Sequence, residues 1–433
     1  MMRFVMRQNT RLLIGTAVSL LVLAVVASLN GRGDSDEAEP PSTTTTRSTT
    51  TVALTTTQAP TTTGATTTTQ SPADLHRVGL EELVASLSAE ELAARLVVIG
   101  INGADAQTRL TEVVGTACVG GIFITESNNN WVPVDSRDAV RALVEEIDAA
   151  AEAERCGRPL ITTDAEFGSV VRVPISSYDS TQIWTDRYIT GTAFDVLIGL
   201  QKASFDLAVG LRDLGVDVNF GAVADVDTDP ANFMARSGRT FGDDQAIVTT
   251  LAASFVTGHC EAGVAATLKH FPNQGDTLQD PHREQSVANS DLDTWRETGR
   301  VPYANTNAPL VMTGHILTDV DPDLPASLSH AVTTGLLREE LGYDGVVITD
   351  DLSSMRGAID AIGDAGERAI AATAAGADLA LFVNDNDAAT VISALAERIS
   401  SDESFDDRAR EAALRTLLLG AALAAPELFP LCS

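Results

Sequence analysis

Short apolar runs recur along most of this chain, separated by stretches whose apolar residues follow helical spacing. The runs lie at 96–101, 120–125, 160–164, 216–223, 265–270, 310–316, 345–350 and 379–383. Each is mostly apolar and several are β-branched, the composition of parallel strands covered by helices. Residues 136–153 and 365–375 have helical composition between such runs. Eight strand–helix units within residues 79–433 predict one α/β domain, a (β/α)8 TIM-type barrel. The intervals before the fourth and fifth runs exceed a minimal crossover, which predicts elaborated loops there.

The pattern differs before residue 79. Residues 1–11 carry Arg3, Arg7 and Arg11 and no acid, and read as a cytoplasmic basic segment. Residues 12–29 are 18 uncharged, mostly apolar positions. That is long enough for a transmembrane helix, with the arginines keeping its N-terminus inside. A signal peptide cleaved near Val25-x-Ala27 is the competing reading. Either one exports the rest of the chain, which is then secreted or anchored to the cell membrane. Residues 30–78 are rich in Thr, Ser and Pro, with too little apolar content to offset chain entropy, and predict a disordered linker.

A formal charge of −31 argues against nucleic acid and anionic lipid as partners, because counterion release needs basic patches. It suits an acidic surface outside the cell, or reflects compositional bias. The four cysteines form no CxxC pair, which argues against a zinc site. An exported chain with an even count permits disulfides, with Cys118 facing Cys156 and Cys260 facing Cys432; free thiols are the alternative.

Polar residues cluster where the predicted strands end. Asp164, Lys269, His270, His315 and Asp350 fall at or near C-terminal ends, and Asp225 just past one. Barrels of this class build their catalytic face from those ends. Lys269 is one of only two lysines, the other being Lys202. Eleven residues beyond it comes Asp280-x-His282, a pairing suited to proton transfer because the carboxylate orients the imidazole and stabilises its charged form. The run at 345–350 delivers Asp350 to the barrel mouth, where a carboxylate can serve as a nucleophile, with Asp351 as its rival.

Residues 269–282, Lys-His-Phe-Pro-Asn-Gln-Gly-Asp-Thr-Leu-Gln-Asp-Pro-His, resemble the KHFPGHGDTxxDSH signature of family 3 glycoside hydrolases. The likeness is to the single-domain β-N-acetylglucosaminidases of the NagZ type. Asn273-Gln274 stands where that family has Gly-His, and Pro281 where it has Ser. Residues 345–355 are similar to the family's GVVxSDDLSM, with one extra serine, and residues 164–172 to its DxEGGxVxR, with Phe167 in place of a glycine. Residues 218–226 resemble NFAPVxDV, residues 239–242 RSFG, and Met312, His315 and 325–329 the MxxH…PASLS pattern.

The resemblance spans residues 92–419 and implies roles. Asp350 is the expected nucleophile, and His282, oriented by Asp280, the acid/base. Asp164, Arg172, Arg239, Lys269 and His270 are the expected sugar ligands. Glu166 is either a ligand or a strand-end cap. Asp225 is expected to support Arg239, His315 to hydrogen-bond inside the barrel, and Phe167 to reshape one pocket wall. No metal or organic cofactor is implied. The expected partner is a GlcNAc-terminated glycan, as in peptidoglycan fragments, with the membrane touched only through the N-terminal segment. A phosphorylase and a catalytically silent glycan-binding surface protein are the alternatives.

Overall fold

Each of the eight apolar runs becomes a strand in the computed structural model, which describes residues 71–100, 118–125, 136–153, 156–384, 387–428 and 430–432. The strands are β1 (Val97–Gly100), β2 (Gly121–Phe123), β3 (Leu160–Thr163), β4 (Val218–Asn219), β5 (Ala265–Phe271), β6 (Leu310–Thr313), β7 (Val346–Thr349) and β8 (Ala380–Phe382). Neighbours pair in parallel in chain order, and β8 also pairs with β1. A parallel bridge between Ile348 and Leu379 joins β7 to β8, so the sheet closes into a TIM-type barrel.

Helices connect the strands on the outside. The expected helices appear as Arg137–Ala153 and Ala365–Ala375. The long intervals hold Thr181–Thr190 with Ala193–Arg212 before β4, and Phe233–Ser237 with Gln245–Ala262 before β5. Helix Gln245–Ala262 starts where the Asp244 carboxylate accepts from the amides of Ala246 and Ile247, at 2.8 and 3.1 Å. It ends at Gly263, whose φ of 77° releases the chain into β5 two residues later.

The alternation along the strands decides what the barrel contains. One buried cluster draws on all eight strands, among them Val98, Phe123, Leu160, Val218, Ala265 and Ile348, and only the lumen touches all eight. The alternate positions, such as Ile99, Ile161, Leu268 and Val347, pack outward against helix residues including Leu207 and Val248. With a side-chain period of two, Asp164 follows Leu160 to the inside, Lys269 follows Ala265, and Asp350 follows Ile348. Their chemistry is thereby aimed into the barrel mouth.

The folded part begins earlier than the linker boundary at residue 78. Helix Pro72–Ser86 starts at Ser71, whose hydroxyl and the Asp74 carboxylate cap each other's amides. Ser71-Pro72 continues the Ser/Pro composition of the linker, yet Ser-Pro-x-Asp is also a helix start. Residues 1–11, 12–29 and most of 30–78 lie outside the described residues. Among the described residues no helix is long and apolar enough to cross a membrane. Both cysteine pairings form: Cys118–Cys156, with Cα atoms 5.2 Å apart, and Cys260–Cys432, at 6.0 Å.

At the opposite end of the barrel, buried Asp378 precedes β8 and gathers three arginines. Arg408 lies 2.8 Å away, Arg415 3.2 Å and Arg338 2.5 Å, while the Val347 amide donates from 2.9 Å. This carboxylate ties β7 and β8 to helices Ala331–Glu340 and Glu403–Ala424. Asp378→Ala strands three cations around an uncharged pocket and is expected to lower unfolding stability by about 3–5 kcal/mol, read by urea denaturation. A loss below about 1 kcal/mol would show that water already screens the cluster.

Candidate active site

Four charged side chains meet at the barrel mouth. The Lys269 ammonium lies 2.7 Å from both Asp164 Oδ1 and Glu166 Oε1. Arg239 forks onto Glu166, with Nε 2.9 Å from Oε2 and Nη2 2.7 Å from Oε1. The Lys269 and Glu166 side chains are only 3% and 2% exposed, while Asp164 retains 20% and Arg239 16%. Two carboxylates and two cations sum to zero, which is what a dry site requires. Burial pushes the Glu166 carboxyl up, but Arg239 and Lys269 outweigh it and hold the group well below the usual carboxylate range. Burial also opposes the charge on Lys269; Asp164 and Glu166 overcome it and raise the ammonium. Glu166 is thus a charged partner of both cations.

A tight hairpin presents this pair of acids. The Arg172 amide donates to Asp164 O from 2.9 Å, the Glu166 amide to Val170 O from 2.7 Å, and Gly168, with φ of 95°, makes the turn. The main chain of Arg172 therefore lies beside Asp164. Its guanidinium has no hydrogen bond or ion pair among the described residues and is available to a ligand. Phe167 packs into the core, 5.0 Å from Phe255 and 6.1 Å from Trp184 between ring centroids, so it anchors the hairpin from behind and is not a pocket wall.

Asp225 does not pair with Arg239 as expected; Glu166 takes that place. Fully buried Asp225 instead accepts from His270 Nδ1 at 2.8 Å and from the Gln274 amide at 2.6 Å. This fixes the His270 ring and leaves its Nε2 without a partner among the described residues. Asn273 clamps Val226 in both directions, accepting from its amide at 2.8 Å and donating to its carbonyl at 3.0 Å. The loop after β5 is held by that clamp where the family has glycine.

Asp350 follows β7, and its amide donates to Thr313 O of β6 from 2.9 Å. One carboxylate oxygen accepts from the Asp351 amide at 2.9 Å, and the side chain stays partly exposed at the mouth. Burial pushes the carboxyl up, yet the neighbouring His270 imidazole pulls it further down, so the group lies below the usual carboxylate range and is ionised at neutral pH. Asp351 points away and accepts from the amides of Ser353 at 2.8 Å, Val383 at 3.0 Å and Ser354 at 3.1 Å. Such a carboxylate shapes the turn and has no lone pair to spare for a sugar. His315 is fully buried between Ser327 Oγ at 2.7 Å and Asp351 O at 2.9 Å. The carbonyl must accept from Nε2–H, so Nδ1 accepts from the serine. Burial keeps this ring neutral against the pull of Asp350 and Asp351.

The Asp280–His282 pair lies on a loop over the mouth. Asp280 Oδ1 is 2.8 Å from His282 Nδ1, and the imidazole is 58% exposed. Its Nε2 has no partner among the described residues. The Pro281 carbonyl accepts from the Gly357 amide at 3.0 Å, which docks this loop on the segment that follows Asp350. Gly357 has no room for a side chain, since a Cβ would lie 2.8 Å from His315 Cβ and 3.0 Å from His315 O. Sequence reasoning missed Gly357 and Ser327; the glycine two residues after Met355 was the available signal.

The chain matches the family model "Glycosyl hydrolase family 3 N terminal domain" over residues 82–418. It is 34% identical over 306 residues to a Beta-hexosaminidase of Bordetella avium, covering 67% of this chain and 80% of that one. It is 31% identical over 277 residues to an uncharacterized secreted glycosyl hydrolase of Arthroderma benhamiae, covering 62% and 74%. Among solved structures it resembles a family 3 β-N-acetylglucosaminidase from a Paenibacillus species, with a TM-score of 0.71 and 29% identity. That likeness covers 79% of this chain and 64% of the other.

Replacing the buried ammonium tests the charge cluster. Lys269→Met leaves Asp164 and Glu166 with one cation between them and should cost about 3 kcal/mol at pH 7. Glu166 then takes up protons at higher pH than before, so the native variant binds more protons than the native parent as pH falls. The deficit should therefore shrink as pH falls through the ordinary carboxylate range and below it, read by chemical denaturation. A deficit that stays constant would mean the acids are not balanced by Lys269.

Proposed function

The chain belongs to glycosyl hydrolase family 3, and from that premise we propose that it is an exported, retaining β-N-acetylglucosaminidase. It removes terminal β-linked GlcNAc from glycans, with peptidoglycan fragments as the physiological source. The observation that carries this reading is the docking of the Asp280–His282 loop beside Asp350 through the hydrogen bond from Gly357 to Pro281. It brings an ionised carboxylate and an imidazole with a free Nε2 to one mouth. The relatives named hexosaminidase and β-N-acetylglucosaminidase support the sugar, and the secreted relative supports export.

The chemistry needs no group beyond these side chains. Asp164 accepts from sugar hydroxyls, while Arg172, Arg239, Lys269 and His270 Nε2 donate or accept around the same ring; Glu166 holds Arg239 and Lys269 in place. Charge-assisted hydrogen bonds of this kind are strong in a dry site. Asp350 attacks the anomeric carbon, the bond to the leaving oxygen breaks, and His282 Nε2 gives its proton to that oxygen. Asp280 holds Nδ1 and stabilises the imidazolium before the transfer. The neutral imidazole then removes a proton from water, whose oxygen attacks the anomeric carbon and frees Asp350. In most retaining glycosidases a second carboxylate does this work; an imidazole repels an incoming phosphate less, which keeps phosphorolysis as the rival chemistry.

Chromogenic GlcNAc and glucose glycosides separate the readings. The GlcNAc compound should be turned over and the glucose compound poorly. Free GlcNAc should be the product at the same rate with or without phosphate. Phosphate-dependent turnover yielding a sugar 1-phosphate would make the protein a phosphorylase, and binding without turnover would make it a glycan-binding protein.

A further inference from the structure

Inside the barrel wall runs a chain of hydrogen bonds that the mechanism above does not use. His259, on helix Gln245–Ala262, is fully buried, with its ring stacked on Phe255 at 4.3 Å. Its Nε2 lies 2.8 Å from Asn219 Nδ2, and its Nδ1 lies 2.7 Å from Ser204 Oγ and 3.3 Å from Phe255 O. Asn219, on β4, is also fully buried and faces the main chain of Ala165 in both directions. Nδ2 donates to Ala165 O from 2.8 Å, and Oδ1 accepts from the Ala165 amide at 2.8 Å. Ala165 is the residue between Asp164 and Glu166.

One assignment of hydrogens satisfies every atom. The Ala165 amide can only donate, so it must meet Asn219 Oδ1, and Nδ2 must point at both Ala165 O and His259. Both amide hydrogens of Asn219 are then used. His259 Nε2 has to accept, so the ring proton sits on Nδ1 and goes to Ser204, whose own hydroxyl donates to Phe255 O. Burial pushes His259 down to about 3, which keeps the ring in this neutral form. A doubly protonated ring would set N–H against N–H in a space without water, an arrangement buried polar groups avoid.

We propose that His259 and Asn219 are positioning residues for the sugar cradle. The imidazole fixes the Asn219 amide, and the amide fixes the main chain at Ala165, setting the direction of the Asp164 and Glu166 carboxylates. Neither residue touches substrate. β3 ends at Thr163, and the hairpin bonds beyond it use the Asp164 carbonyl and the Glu166 amide on one edge, so the Ala165 amide and carbonyl face the other edge, where Asn219 meets them. The clamp from β4 thus satisfies the two main-chain groups that the hairpin leaves over. A displacement of about 1 Å in such a cradle can cost about 100-fold in rate. The inference rests on the reading that the cradle built on these carboxylates holds the sugar.

The test uses His259→Phe, which keeps the stacking and removes the acceptor, and His259→Gln, which restores an acceptor near the position of Nε2. In the full chain, affinity for GlcNAc by calorimetry and kcat/KM on a GlcNAc aryl glycoside should both fall about tenfold or more in His259→Phe. The pH limbs of turnover should stay in place, and His259→Gln should recover most of the loss. A folded His259→Phe with wild-type affinity and kcat/KM, changed only in melting temperature, would overturn the proposal, as would a folded His259→Gln no better than His259→Phe. If His259→Phe does not fold, Asn219→Ser is read in its place. The functional reading is judged on the wild type alone, by its turnover of the glycoside, and this inference on the variants relative to it.

Discussion

Lys269 and Glu166 sit 2.7 Å apart with almost no water to share, and neither could be there alone. An uncompensated charge at such depth costs several kcal/mol, so the segments that carry the four charges have to arrive together. Asp164 and Glu166 come from the hairpin after β3, Lys269 from β5, and Arg239 from the turn after helix Phe233–Ser237. Their mutual neutralisation sets how these three segments meet. Arg239 reaches the mouth because Glu166 receives it bidentately, and Asp164 keeps a partly exposed edge because Lys269 holds its other side. The cluster is a rigid, pre-charged cradle whose hydrogen-bond directions exist before any ligand arrives, which is how a site avoids reorganisation cost during reaction.

Across the mouth the constraints are different in kind. Asp350 is aimed inward by strand parity and its carboxyl is held down by His270, while Asp351 one residue later is consumed by backbone amides. The Asp280–His282 pair is much more exposed and is tied down by the amide of Gly357. A deep charged cradle thus faces a shallow proton carrier. That division suits a reaction in which one sugar is gripped and the other partner, leaving group or water, must come and go past the imidazole.

Much of this was legible in the chain. Eight buried strands announce themselves as short apolar runs, since both faces of a barrel strand are covered, and the placement of Asp164, Lys269 and Asp350 at their ends follows from a period of two. What escaped was pairing at a distance. The sequence cannot show that Glu166, 73 residues before Arg239, is the acid that receives it. Nor can it show that Asp225 spends its oxygens on His270 and Gln274. Phe167 was expected to reshape a pocket wall because it stands where the family has glycine, yet the hairpin turns its ring into the core. His259 lies outside every motif and Asn219 enters only as the asparagine of the NFAPVxDV-like stretch; their role emerges only when hydrogens are assigned around Ala165. The linker boundary was misplaced because Ser71-Pro72 reads equally as stalk and as helix start.

The central claim is that the carboxylate delivered by β7 attacks the sugar while its neighbour only shapes the turn. A slow fluorinated GlcNAc glycoside that accumulates the covalent intermediate, followed by proteolysis and peptide mass mapping, tests it most directly. The account predicts a single label on Asp350, absent from Asp350→Asn. A label on Asp351, or active enzyme that accumulates no covalent adduct and retains turnover in Asp350→Asn, would contradict it.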